Sequence, residues 1–108
     1  MKNPEHLRPE RPDQTVILVA EDDVMILNIV RLTLERNGYF VLTAENGEEA
    51  LVLSRGFPGE IHMFLTDVLM PRMSGIQSAK RITAERQGVL VLLMCNGPQK
   101  LDTKMAFS

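Results

Sequence analysis

The chain has 108 residues, a length that fits one domain, and its 44% hydrophobic and 24% charged residues are ordinary for a globular protein. The formal net charge is −2 and the basic residues are scattered, so the composition does not indicate direct nucleic-acid binding. No apolar run approaches the ~20 residues that a membrane span needs. The N-terminal residues include no apolar segment of the kind that directs secretion. The single cysteine, Cys95, fits a reducing cytoplasm.

Residues 1–14 carry three prolines and several charges, which predicts a flexible leader before a domain at 15–108. The continuous apolar run at 15–20 is typical of a strand covered on both faces, as in a parallel sheet. Three acids follow this run, and a helix is expected next because apolar residues recur at helical spacing until Gly38. Those apolar residues are Ile26, Ile29, Val30 and Leu34.

The rest of the chain continues the alternation of strands and helices. Further strands are predicted at 39–44, 61–65 and 89–94, and further helices at 48–55, 76–86 and 99–107. This alternation predicts an α/β fold, a doubly wound parallel sheet. The GxGxxG and GxxxxGK[ST] patterns are both absent, which argues against dinucleotide and P-loop nucleotide binding.

Carboxylates follow two of the predicted strands. Glu21 and Asp22 come directly after the first strand, and Asp67 follows the third. In the common flavodoxin-like strand order 2-1-3-4-5 these two strands are neighbours, so the three acids should converge at one edge of the sheet. Clustered carboxylates repel one another unless a cation binds among them, and hard oxygen ligands suit Mg²⁺. Aspartate can also accept a phosphoryl group as a nucleophile.

Four segments in this order resemble the receiver domain of two-component response regulators. They are residues 17–23, 46–51, 65–75 and 91–94, and the resemblance extends from 15 to 107. It implies that Asp67 is the phosphoacceptor, and that the donor is a phosphohistidine of a sensor or hybrid histidine kinase. Such a domain is a cytoplasmic signalling module and not an enzyme.

The resemblance also implies a set of Mg²⁺ ligands. Asp22 would bind the ion directly, Glu21 mainly through water, and Asp67 and the main-chain carbonyl of Leu69 would complete the protein ligands.

Two features depart from the family pattern. Cys95 stands where the family usually has Ser or Thr, and a thiol is a weaker hydrogen-bond donor to a phosphoryl oxygen than a hydroxyl. The Lys-Pro pair that ends the family's fifth strand is absent, so we expect a C-terminally incomplete domain of strand order 2-1-3-4, without the fifth strand and the last helix. Phosphorylation of Asp67 should then be slow.

Two other functions are compatible with the same residues. The first is a degenerate receiver-like module that binds a protein without being phosphorylated. The second, a flavodoxin-like binder of a small ligand, is disfavoured because no phosphate-cradling loop follows the first strand. We expect no membrane partner, and we expect self-association through the apolar edge of the strand at 89–94.

Overall fold

The computed structural model describes residues 4–94 of the chain. Within that range a short 3-10 helix, Pro4–His6, precedes four strands and three helices in strict alternation. The strands and helices are β1 (Val16–Ala20), α1 (Val24–Arg36), β2 (Phe40–Ala44), α2 (Gly47–Gly56), β3 (Met63–Asp67), α3 (Gly75–Glu85) and β4 (Leu90–Met94). Cys95 and the helix predicted at 99–107 lie outside the described residues.

The four strands form one parallel sheet in the order β2-β1-β3-β4, which confirms the predicted 2-1-3-4 arrangement. The chain first moves outward from β1 to β2 and then crosses back to β3. Right-handed connections require the helices of these two moves to lie on opposite faces of the sheet. The packing agrees, because α1 covers one face while α2 and α3 cover the other.

The larger half of the core lies under α2 and α3. Leu18 and Phe64 of the sheet are fully buried there, in the same cluster as Leu51 of α2 and Ile82 of α3. The smaller half lies under α1, where Leu27 packs on Ile17 and Val19. Since the central strands are buried on both faces, their apolar runs do not alternate with polar residues.

The leader is anchored by Gln14. Its side-chain oxygen accepts hydrogen bonds from the backbone N–H groups of Glu10 and Arg11, and its amide donates to the Gly38 carbonyl at 3.0 Å. None of the described helices combines the length and hydropathy of a bilayer crossing.

Candidate metal centre

Strand register sets Glu21 beside Asp67. Ala20, the last residue of β1, pairs with Thr66 of β3, so the next residue of each chain segment is an acid at the same level. The backbone N–H of Glu21 also donates to the Ala44 carbonyl at 3.0 Å, which extends the ladder between β1 and β2 by one residue. The two acids therefore lie at the topological switch point of the sheet, between β1 and β3, which is the usual ligand position in doubly wound folds.

Three carboxylates meet at this point. One oxygen from each of Glu21, Asp22 and Asp67 lies within 4.8 Å of the others. Glu21 is 1% exposed and Asp67 is fully buried, whereas Asp22 is exposed and leaves one side of the cluster open to solvent. The structure thus brings together all three acids that the sequence predicts as metal ligands.

The pKa of Glu21 shows how unfavourable this crowding is for negative charge. The pKa of Glu21 is raised from 4.5 to about 7, chiefly because burial disfavours the charged carboxylate, while the hydrogen bond from the Asp23 N–H lowers it. Hydrogen bonding to the carboxyls of Asp22 and Asp67 and the negative charge of Asp67 contribute to this rise. A bound cation would reverse this preference for the protonated form.

The third acid in the run after β1 has a different role. Asp23 is the N-cap of α1: its Oδ1 accepts hydrogen bonds from the N–H groups of Met25 at 3.0 Å and Ile26 at 3.3 Å. Its own N–H donates to Oε2 of Glu21 at 3.1 Å. An aspartate directly before a helix is a strong capping signal, so the sequence alone contains the information that separates Asp23 from the cluster.

The backbone of Asp67 is fixed by its neighbours in the chain. The Thr66 hydroxyl donates to the Asp67 carbonyl at 3.0 Å, and the Gly75 N–H donates to the Val68 carbonyl at 3.0 Å, closing the loop at 68–74. Ser74 then caps α3 in a reciprocal pair with Gln77. Leu69 lies in this loop and is 58% exposed, and the ligand role of its carbonyl stays a prediction.

The donor set fits Mg²⁺. All three side chains offer carboxylate oxygens, the ligand class that this hard cation prefers, and the open side at Asp22 suits an ion that keeps several waters. Like charges held within 4.8 Å also give the cluster a net attraction for a cation. Glu21, Asp22 and Asp67 would hold the ion. Cys95, the remaining predicted site residue, lies outside the described residues.

This chain is similar in sequence to a known protein family and to individual proteins. The family model described as "Response regulator receiver domain" matches residues 17–107. The transcriptional regulatory protein ResD of Bacillus subtilis (strain 168) is 30% identical over 90 residues, which cover 83% of this chain and 37% of ResD. The chain therefore spans little more than a third of that relative.

Solved structures show the same likeness. The response regulator TrrA from Thermotoga maritima, in complex with Mg²⁺-BeF, superposes with a TM-score of 0.66 at 34% identity, covering 74% of this chain and 68% of TrrA. The receiver domain of the hybrid histidine kinase CckA superposes with a TM-score of 0.62 at 28% identity, covering 82% of this chain and 94% of that domain.

Proposed function

The chain belongs to the response regulator receiver domain family, and from this premise we propose that it takes a phosphoryl group from a histidine kinase onto Asp67, with Mg²⁺ bound by the acidic cluster. The observation that carries the proposal is the meeting of Glu21, Asp22 and Asp67 at the topological switch point between β1 and β3. TrrA, which is similar to this chain, is described in complex with Mg²⁺-BeF, and this supports an acidic Mg²⁺ site here. The likeness to the receiver of a hybrid histidine kinase supports a kinase as the donor.

In the proposed reaction an Asp67 carboxylate oxygen attacks the phosphorus of a phosphohistidine. The new O–P bond forms as the N–P bond breaks, and the imidazole leaves with the bonding electron pair. When bound, Mg²⁺ supplies positive charge that stabilises the phosphoryl oxygens. The Leu69 carbonyl is proposed as a further ligand. The Thr66 hydroxyl, by holding the Asp67 carbonyl, keeps the nucleophile in position at the end of β3.

The same proposal places the chain in the cytoplasm as a signalling module without a direct nucleic-acid partner. Self-association through β4 also remains a prediction. Leu90 and Leu92, which are 52% and 44% exposed, give that strand an apolar surface within the described residues.

Labelling with acetyl phosphate and Mg²⁺, followed by intact mass spectrometry, tests the proposal. We expect slow addition of one phosphoryl group, lost in Asp67→Asn and on chelation of Mg²⁺. Asp23→Asn is the matched control, because it replaces an acid next to the cluster that caps α1. Asparagine also caps helices well, so labelling should persist in this variant. Labelling that survives Asp67→Asn would contradict the assignment of the nucleophile.

Cys95 favours a second candidate, a receiver-like module that binds a protein without phosphorylation. Its thiol replaces the hydroxyl that the family usually offers to the phosphoryl group, and losing one such donor can slow a reaction by roughly 10²–10³-fold. Mg²⁺ binding by the wild-type chain with no labelling, even after long incubation, would favour this candidate.

A further inference from the structure

The loop at 68–74 leaves the acidic cluster and leads into α3. At its far end the start of α3 lies against the end of β3 with no room for a side chain. A Cβ on Gly75 would overlap the Asp67 carbonyl oxygen and would lie 2.9 Å from the Thr66 hydroxyl oxygen. Only glycine allows this approach, so the loop is closed tightly where it begins and ends.

The same loop is held from the side by the first turn of α2. Gly47 is buried, and a Cβ on it would overlap the Met73 carbonyl oxygen and would lie 2.9 Å from the Met73 carbonyl carbon. These are backbone atoms, which cannot swing aside as the end of a long side chain can. Two further features belong to this contact: Arg72 has a left-handed backbone with φ of 72°, and its guanidinium lies 3.3 Å from a Glu48 carboxylate oxygen.

A side chain at position 47 would displace backbone on one side of this contact or the other. If the loop yields, Met73 moves together with Pro71, whose carbonyl accepts the Met73 N–H at 2.9 Å, and the movement acts on the residues after Asp67. If α2 yields, it moves the end of β2, where the Ala44 carbonyl accepts the Glu21 N–H at 3.0 Å. Both routes end at a carboxylate of the cluster.

We infer that Gly47, although it provides no ligand, is a positioning residue for the acidic cluster: it sets the distance between the Asp67 loop and α2, and through it the metal affinity. This inference rests on the Mg²⁺ site of the proposed function. It adds that the site depends on a close backbone contact between two segments far apart in the sequence. Misplacing groups that orient metal ligands typically weakens metal binding by 10–100-fold.

Gly47→Ala and Gly56→Ala make a matched pair at the two ends of α2. Both replace a glycine of the same helix by alanine, but a Cβ on Gly56 would meet the Pro4 side chain, at 2.6 Å from its Cγ, far from the cluster. Mg²⁺ is titrated into each full-length variant while amide NMR shifts of residues 20–23 and 66–70 are followed, and urea unfolding is measured on the same samples. We expect Gly47→Ala to weaken Mg²⁺ binding by roughly 10-fold or more, and Gly56→Ala to leave it unchanged.

The outcomes separate the two proposals. Wild-type protein that does not bind Mg²⁺ overturns the metal site and this inference with it. Wild-type binding with equal affinities in the two variants overturns the inference alone, whatever the loss of stability. If Gly47→Ala is partly unfolded, the same titration in trimethylamine N-oxide, which favours the folded state, decides between these outcomes.

Discussion

Replacing Glu21, one of the two buried acids of the cluster, should change how the unfolding free energy depends on pH. Glu21 is 1% exposed, and its pKa is raised from 4.5 to about 7 in the folded chain. The folded state therefore binds this proton more tightly than the unfolded state does. The resulting stabilisation is fully present below about pH 4.5 and is lost as the pH rises through about 7.

The size of the effect follows from the two pKa values. At 1.36 kcal/mol for each pH unit, the difference between 4.5 and about 7 corresponds to roughly 3 kcal/mol of unfolding free energy. Glu21→Gln removes the titration and keeps a side-chain oxygen that can accept the Asp23 N–H. The wild-type chain should thus lose roughly 3 kcal/mol more than this variant between about pH 4.5 and about pH 8.

Urea unfolding followed by circular dichroism in the presence of EDTA measures this difference, and no tryptophan is needed for the signal. The comparison is between the two proteins at each pH, so titration of groups that they share cancels. Unfolding free energies that run parallel with pH would refute the reasoning, because they would mean that Glu21 is solvated or already paired with a positive charge.

Two further predictions concern stability. In Arg86→Ala the backbone carbonyls of Ser54, Phe57 and Gly59 lose the guanidinium that donates hydrogen bonds to them, so the unfolding free energy measured in urea should fall by roughly 2–4 kcal/mol. Arg55→Ala is the control: it breaks an exposed ion pair and should change the urea midpoint little. Arg72→Gly should be more stable than Arg72→Ala by about 1 kcal/mol of unfolding free energy, which thermal unfolding would show as a higher midpoint temperature. Both variants lose the ion pair, but only glycine relieves the left-handed backbone. Equal midpoint temperatures would contradict this interpretation of φ.

The alternation of strands and helices and the acids at the strand ends could be predicted from patterns within short segments, and the common flavodoxin-like strand order then predicted that the acids meet. The boundaries of the third strand could not. The apolar run ends at Leu65, but the ladder continues to Asp67, which pairs with Met94 of β4. Thr66 and Asp67 are fully buried, so here neighbouring strands, and not apolar character, decide where the strand ends.

The inward face of α1 was also predicted only in part. Val30 and Leu34 pack against the sheet as the spacing predicts, but Ile29 is 59% exposed and Leu27 is the residue that is buried. Helical spacing is compatible with either Ile29 or Leu27 on the buried face, because α1 carries apolar residues on more than one face. Periodicity alone cannot say which face meets the sheet.

The contact between Gly47 and the loop at 68–74 had no sequence signal of this kind. Gly47 resembles any glycine at the start of a helix, and its need for a hydrogen in place of a side chain arises from Met73, which is distant in the chain. Such a requirement appears only when two segments are placed together in space.

The crowded carboxylates of the acidic cluster should destabilise the metal-free fold, and a bound cation should offset this cost. Without Mg²⁺ and above about pH 7, Glu21→Gln should be the more stable protein, because it removes a buried negative charge from a crowded cluster. Adding Mg²⁺ should stabilise the wild type by RT ln(1 + [Mg²⁺]/Kd) and stabilise the variant less, since the variant has lost a carboxylate. If the wild type is more stable than Glu21→Gln in EDTA at that pH, repulsion among the carboxylates does not destabilise the metal-free fold. The expected ordering instead describes a site that weakens the metal-free fold and recovers that stability only when a cation binds.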